Sequence, residues 1–318
     1  MKPCNAPVVI FTYKREKHFR QTTEALSRCT LSKETDVYIF IDGPRSGQDR
    51  EKVQAIREYA ESLESKNWFG SLHIEASEQN KGLSASVIGG VDKIINKYGK
   101  IIVLEDDIIV KNNFLEFMNG ALTYFQNKGN VWAVSSYTPE LKILETVDDF
   151  IYANCRANCW GWASWADRWN TIDWQIKDYK EFVFCHKKRK AFNQGGNDLS
   201  RMLDAYMAGD IDSWAVRWNY AQHKAQMVAV APRISLSRNA GFDGSGENCG
   251  KVSLEHYEDR QLDIGRFHEV EPEQDIQKEL KRYYDSLYSV KLRVKKQITS
   301  LIRRIRWYVG IKRRSRII

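Results

Sequence analysis

Three adjacent carboxylates, Glu105, Asp106 and Asp107, are the residues of this chain best suited to chemistry. They follow the apolar run 101–104 and precede a second one, 108–110. Such runs of Ile, Val and Leu predict a central strand buried on both faces of a parallel sheet. Neighbouring carboxylates at its end repel one another and are costly to desolvate, so a cation among them would stabilise them. Hard oxygen ligands select Mg²⁺ or Mn²⁺, so the triplet predicts a divalent-metal site; a solvated acidic turn is the alternative.

Three earlier apolar runs, at 7–12, 37–41 and 72–76, predict strands that lie before the acidic one. Helices are predicted over 16–29, over 49–66 and from Leu83. This alternation is typical of an α/β protein with a Rossmann-like, mostly parallel, doubly wound sheet. Polar residues stand at the strand ends, where such sheets bind ligands. They are Thr12, Tyr13 and Arg15, then Asp42, and then Asn80, Lys81 and Gly82.

Two large groups of nucleotide-binding proteins are disfavoured by their missing motifs. The chain contains neither G-x-G-x-x-G nor G-x-x-x-x-G-K-[ST], which argues against dinucleotide dehydrogenases and P-loop NTPases. With 318 residues, of which 42% are hydrophobic, it can bury one large α/β domain, with or without an appendage. Ten tryptophans suggest a site that stacks against flat apolar surfaces such as sugar rings.

The strand–helix repeat fades after residue 110. A helix over 112–127 and strands at 131–135 and 227–231 are still predicted. Between them, Trp160 and Trp162 flank a glycine, where regular structure is least expected, and we predict that they form a pocket wall. Two further tryptophans, Trp165 and Trp169, are predicted to lie in the core.

A glycine-rich segment, 233–250, contains four glycines among Asn, Asp and Ser residues. It predicts a mobile flap that closes over a substrate.

Positive charge is concentrated at the carboxyl end of the chain. Residues 278–318 contain fourteen Lys or Arg against two acidic residues, a net charge of +12, whereas the first 277 residues are about −4. Apolar residues recur there with helical spacing, which predicts a basic amphipathic helix on an anionic membrane surface. A basic helix packed on the main domain is the alternative; no nucleic-acid recognition motif accompanies the charge.

The remaining sequence features place the chain in the cytoplasm. Residues 1–7 are polar and precede only four apolar residues, so no signal peptide is expected, and no run is long enough to span a bilayer. The six cysteines form no C-x-x-C pair, and a zinc site from Cys155, Cys159 and His186 is disfavoured by their spacing. We expect reduced thiols and a peripheral position on the inner face of the cell membrane.

Three motifs in order carry a resemblance to a known family: V-L-E-D-D-I at 103–108, the Gly161–Trp162 pair, and I-D-S-W at 211–214. The chain resembles the GT-A glycosyltransferases over about residues 5–250. More narrowly, it looks like the inverting N-acetylglucosaminyltransferase of the N-glycan pathway and its bacterial cell-surface-glycan relatives. That enzyme carries a Golgi anchor before its catalytic domain, whereas this chain begins directly with the first strand. We therefore expect the cytoplasmic bacterial type.

The resemblance implies roles for individual residues. Asp107 would bind the metal, Asp106 would face the donor sugar or ribose, and Asp212 would be the catalytic base. The remaining donor-site residues would be Thr12, Tyr13, Arg15, Asp42, Asn80, Lys81, Gly82 and Glu105, with Asp42 accepting from the uracil N–H. The acceptor site would include Trp160, Gly161, Trp162, Trp214 and Arg217. Asp210 and Asp243 are the fallback candidates for the base.

The function expected from these features is metal-dependent transfer of a sugar, with inversion, from a UDP-sugar to a lipid-linked, lipopolysaccharide or capsule glycan. Residues 1–110 would form the nucleotide-binding half, 111–250 the acceptor-binding half, and 251–318 a membrane-associating extension. A nucleotidyltransferase acting on a sugar phosphate is the alternative enzyme, although the first strand here ends in T-Y-K-R without the glycine-rich loop expected of one. A catalytically inactive membrane-associated scaffold is the third possibility.

Overall fold

The structure, a computed structural model, describes residues 5–243, 262–287 and 290–314. Its first part follows the predicted alternation of strands and helices, and the three helices predicted there begin within one residue of their expected positions. The elements are β1 (Val8–Thr12), α1 (Glu16–Ser27), β2 (Asp36–Ile41), α2 (Arg50–Ser62), β3 (Ser71–Ala76), α3 (Leu83–Tyr98), β4 (Lys100–Glu105) and β5 (Ile108–Val110).

The second part is less regular and includes several short elements. They are α4 (Phe114–Phe125), β6 (Val131–Ser135), β7 (Ile151–Asn154), β8 (Trp162–Trp165), α5 (Ala166–Trp169), α6 (Tyr179–Phe182), α7 (His186–Phe192), α8 (Leu199–Met207), α9 (Trp214–Ala225), β9 (Val228–Pro232), β10 (Ser237–Asn239), α10 (Gln274–Ser286) and α11 (Val290–Arg314).

Eight of these strands form one twisted sheet in the order β3-β2-β1-β4-β8-β6-β9-β7. Strands β3, β2, β1 and β4 are parallel neighbours, as are β6 and β9, while β8 and β7 run antiparallel to their neighbours. Strands β5 and β10 form a separate antiparallel pair. The predicted α/β class with a mostly parallel sheet is confirmed.

Helices cover both faces of the sheet because its strands are apolar on both sides. In β1, Val8 and Ile10 pack in one core cluster, with side chains from α1, α2 and α4. Val9 and Phe11 point to the other face and pack in a second cluster, with side chains from α3 and α9. The continuous apolar runs of the sequence are therefore strands buried on both faces, as predicted.

The tryptophan-rich stretch differs from its prediction. Trp162 begins β8, which lies between β4 and β6. Its side chain is fully buried, 4.5 Å from the Trp218 ring and 5.6 Å from the Trp169 ring. The expectation of irregular structure at Trp162 was wrong, because sequence alone does not reveal an antiparallel strand inserted into a parallel sheet. Trp165 and Trp169 are buried, which confirms that they belong to the core.

The C-terminal extension contains two helices in place of the one predicted. Helix α10 buries Ile276, Leu280 and Tyr284 in a cluster with Leu141, Leu144 and Tyr152, so it is part of the main body. Helix α11 lies along α8, and Ser300 is buried at that contact. Among the described residues, no helix is both long enough and apolar enough to cross a bilayer.

Candidate active site

The loops that follow β1 to β4 meet at one edge of the sheet. Tyr13 after β1 accepts a hydrogen bond from the backbone N–H of Arg45 after β2, at 3.0 Å. Arg45 Nε in turn donates to Asn80 Oδ1 after β3, at 3.2 Å. Thr12 Oγ1 donates to Asp106 Oδ2 after β4, at 3.2 Å. The structure thus brings together the strand-end residues that the sequence suggested.

The acidic triplet lies at the switch point of this sheet. Strands β1 and β4 are neighbours, and β2 and β3 extend the sheet on the other side of β1, so a crevice opens beyond the ends of β1 and β4. Thr22 of α1 donates to the backbone oxygen of Asp106 at 2.8 Å and holds the turn in place. Both Asp106 and Asp107 are almost completely buried.

In the described part of the chain, the guanidinium of Arg15 lies between these carboxylates. Arg15 contacts Asp106 through Nη2 and Asp107 Oδ2 through Nη1, the latter at 2.8 Å. The family resemblance implies a donor-nucleotide role for Arg15, and the spacing of the chain does not predict this ion pair.

The electrostatics of the triplet favour additional positive charge. Burial, with a further contribution from Asp107 and Asp106, raises the pKa of Glu105 to about 8. Burial likewise raises the pKa of Asp106 to about 6, although Arg15 acts in the opposite direction. One guanidinium therefore does not neutralise the three acids, and the raised pKa of Glu105 shows that its charged form is disfavoured here.

The residues fit a divalent cation at Asp107. Its Oδ1 atom is buried and has no hydrogen-bond partner, although an unpartnered buried carboxylate oxygen is costly. Among the described residues, no three His, Cys, Asp or Glu side chains form a ready ligand shell. Mg²⁺-type sites commonly use one or two carboxylates and complete their shell with substrate phosphates and water, so a full protein shell is not required.

Asp42 holds the loop after β3. Its carboxylate accepts hydrogen bonds from the backbone N–H groups of Gly43, Lys81 and Gly82 at 2.8–3.0 Å, and from Asn80 Nδ2 at 3.0 Å. Four donors fill the acceptor capacity of a carboxylate. Binding the N–H of a uracil ring at Asp42 would require one of these bonds to break, so that role stays a prediction.

Trp160 and Gly161 directly precede β8, the strand next to β4 in the sheet. The Trp160 ring contacts Tyr137 and Phe242 edge-on, with centroids 4.5 and 5.4 Å apart. Gly161 has φ +84°, and a side chain there would overlap Ser136 Oγ. Trp160 is only partly buried and remains a candidate for contact with a substrate. Trp162, in contrast, is fully buried and does not form the predicted pocket wall.

Asp212 lies just before α9 and is exposed, with 65% of its side chain accessible. Arg217 Nη2 approaches Asp212 Oδ1 at 3.4 Å and donates to Ser84 Oγ at 2.8 Å, which links Asp212 to the first turn of α3. An exposed carboxylate supported by a guanidinium is available to accept a proton.

Trp214 and Arg217, predicted to contact the acceptor, are instead buried. Trp214 packs 5.4 Å from Trp162 in the core. The guanidinium of Arg217 donates to protein groups on every side, which include the backbone oxygens of Ser213 and Trp174. Both residues position α9 in this structure, Trp214 by aromatic packing and Arg217 by hydrogen bonds from its several donors.

Asp210 forms a 2.6 Å ion pair with Arg303 of α11, which makes it an anchor for that helix. The side chain of Asp243 and flap residues 244–250 lie outside what the structure describes. The part of the flap that the structure describes, residues 233–243, contacts the acidic triplet. The N–H of Ala240 donates a hydrogen bond to the Asp107 backbone oxygen at 2.8 Å.

Cys159 is a site residue that sequence reasoning missed. Burial raises the pKa of its thiol, and so does the negative charge of Glu105. Its position directly before Trp160 and Gly161 was the available signal. The described cysteines Cys29, Cys155, Cys159 and Cys185 are free thiols.

No protein-family model matches this chain, and no curated protein does. Among solved structures it is similar to the crystal structure of S. aureus TarS, with a TM-score of 0.30 and 14% sequence identity. That similarity covers 38% of this chain and 20% of the TarS chain, so this chain matches about a fifth of that protein. A likeness of this strength carries no argument about function, and the fold described above stands on the structure alone.

Proposed function

We propose that this protein is a GT-A glycosyltransferase that uses Mn²⁺ or Mg²⁺ to transfer a sugar, with inversion, from a UDP-sugar to a glycan acceptor. The observation that carries the proposal is the buried acidic pair at the switch point of the parallel sheet, in which Asp107 Oδ1 has no partner. Asp107 would hold the ion. A divalent cation bound there supplies the charge that neutralises the leaving diphosphate as its bond to the sugar breaks.

The protein's own residues divide the remaining tasks. Asp212 would accept the proton of the attacking hydroxyl, and its exposure leaves it accessible to an acceptor. Asp42 would keep the loop at Lys81 and Gly82 in place beside the donor. Trp160 would offer an aromatic edge to the acceptor sugar.

Isothermal titration with UDP and Mn²⁺ tests the donor site. Wild-type protein should bind UDP in a Mn²⁺-dependent manner, and Asp107→Asn should abolish that dependence because it removes the proposed ligand charge without changing the side chain's size. Asp263→Asn, at an exposed position, is the matched control and should bind as wild type does.

Metal-independent UDP binding, or normal binding by Asp107→Asn, would contradict the metal assignment. A complete absence of UDP binding would favour the inactive scaffold. A panel of nucleotide sugars, assayed for metal-dependent donor hydrolysis, then identifies the sugar.

We further propose a lipid-linked, lipopolysaccharide or capsule glycan as acceptor, and the cytoplasmic face of the cell membrane as the location. The support is an exposed apolar stripe on α11, whose members are 43–58% accessible: Ile298, Leu301, Ile302, Ile305 and Val309. Lys295 and Arg306 on the same helix are exposed cations. A helix with this pattern suits the interface of an anionic membrane.

The opposite face of α11 binds the main body. Ser300 donates to Asp204, Arg303 pairs with Asp210, and the Trp307 ring meets Tyr179 edge-on at 4.7 Å. Because these contacts use the side of the helix opposite the stripe, the described part of the main body leaves the stripe exposed.

Vesicle flotation tests this surface. Protein should bind anionic vesicles, less tightly as salt increases, because exposed charges are screened. The double variant Ile302→Ser/Ile305→Ser should lose binding that persists at high salt, whereas Ile302→Leu/Ile305→Leu should retain it. Equal vesicle binding by both double variants would rule out the stripe as the lipid contact. If wild-type protein is a dimer and the Ser variant is a monomer, the stripe serves self-association instead.

A further inference from the structure

Arg15 occupies the position between the two carboxylates at which a cation is needed. Its Nη1 atom lies 2.8 Å from Asp107 Oδ2, and its Nη2 atom contacts Asp106. The two aspartates are 5–6% exposed and the arginine 22%. Buried carboxylates require a counter-charge, so this guanidinium stabilises the triplet when no metal ion is bound.

Asp107 Oδ2 is closely surrounded by Gly241 and Arg15 in this arrangement. A single methyl group added at Gly241 would overlap Asp107 Oδ2 and come within 2.9 Å of Arg15 Nη1. A divalent ion bonded to both aspartates would also lie close to the guanidinium, and two cations in a poorly solvated site repel strongly.

The backbone of Arg15 is held independently of its side chain. Its backbone oxygen accepts from the N–H of Phe19 in the first turn of α1 at 3.0 Å, so the backbone is fixed. The long side chain has rotatable bonds, and its planar fork of donors matches the oxygens of a phosphate.

We infer that Arg15 is a resident counter-cation that competes with the divalent ion for Asp106 and Asp107 and moves to the donor diphosphate when both bind. This inference rests on the proposed function. It makes Arg15 a positioning residue that couples the two ligands: metal alone binds weakly because it must displace a paired guanidinium, and the nucleotide provides that guanidinium with a new anionic partner.

Mn²⁺ binding, followed by the electron paramagnetic resonance of the free ion, tests the coupling without any assay of turnover. Arg15→Gln should bind Mn²⁺ about tenfold more tightly than wild type in the absence of UDP, within the range usual for coupled sites. Addition of UDP should increase the Mn²⁺ affinity of wild type by more than it increases that of the variant. Arg15→Lys, which keeps one cation beside the carboxylates, should lie between them and also serves if Arg15→Gln does not fold.

The outcomes separate the two proposals. Unchanged or weaker Mn²⁺ binding by Arg15→Gln, or by Arg15→Lys if only that variant folds, would overturn the competition while leaving an Asp107-dependent metal site intact. If wild type with UDP binds no Mn²⁺, or binds it as well as Asp107→Asn does, the proposed function fails and the inference fails with it.

Discussion

Asp204 anchors α11 to the main body through a fully buried carboxylate, and its replacement by Asn should loosen that helix. Asp204 has no accessible side-chain surface. Arg189 forms two hydrogen bonds to it at 2.7 and 2.8 Å, and Tyr179 donates to it at 2.8 Å. Ser300 donates to it as well, and Arg304 of α11 lies 3.9 Å away.

The size of the effect follows from these contacts. Asp204→Asn keeps the shape of the side chain, so no cavity forms, but it leaves Arg189 buried without its anion. Removing one partner of a buried ion pair typically costs 3–5 kcal/mol, and because Asn still accepts one or two of the bonds, we expect a loss of about 3 kcal/mol in the free energy of unfolding. For a chain of this size that corresponds to a fall in Tm of about 5 °C.

Urea denaturation measures the loss, and hydrogen exchange in residues 295–310 shows whether α11 is released. Glu181→Gln is the control, because Glu181 and its partner Lys188 are about half exposed and 3.0 Å apart. Such a surface pair contributes less than about 1 kcal/mol. A loss for Asp204→Asn no larger than that of the control, with unchanged exchange in α11, would refute the view that this carboxylate holds the helix.

Three further predictions concern the candidate site. Asp212→Asn should lower turnover about 10²–10⁴-fold with unchanged UDP affinity and little change in stability, because the Asp212 side chain is exposed and the buried Arg217 keeps its other hydrogen-bond partners. An equal loss of UDP affinity in titration would give Asp212 a binding role. Gly161→Ala should destabilise the protein by about 2–5 kcal/mol in urea, from its φ of +84° and its overlap with Ser136. Gly209→Ala is the control, because Gly209 has φ +77° but no atom within 4 Å, and it should cost only about 1–2 kcal/mol. Equal losses of stability in the two variants would mean that the overlap of the added methyl group with Ser136 is relieved by small shifts. Asp42→Ala should weaken UDP binding by freeing the loop at residues 80–82, seen as faster hydrogen exchange there; unchanged exchange would contradict the holding role.

Local patterns predicted the first half of the fold well. Aliphatic runs such as 101–104, rich in Ile and Val and bounded by polar residues, favour the middle of a sheet, and parallel strands bring their carboxyl ends to one edge. The meeting of Thr12 and Asp106 at that edge follows from this rule, although the two residues are far apart along the chain.

The second half needed long-range information. Trp162 looked like a pocket residue because a glycine precedes it, but β8 pairs with β4 and β6, which buries its ring. Burial depends on which strands become neighbours, and that choice is a property of the whole chain. For the same reason, the sequence does not show that Trp214 and Arg217 lie on the buried face of α9 and not in a binding pocket.

The sequence by itself determined the class of fold, the strand that carries the acidic triplet and the sheet edge to which the triplet belongs, because hydrophobic period and turn residues are local properties. Only the tertiary structure decided the partners of these groups. It put the guanidinium of Arg15 between Asp106 and Asp107, the four donors around Asp42, and the polar side of α11 on Asp204. Charge pairing and burial act across space between residues that the chain brings together only when it is folded, so spacing along the sequence carries no record of them.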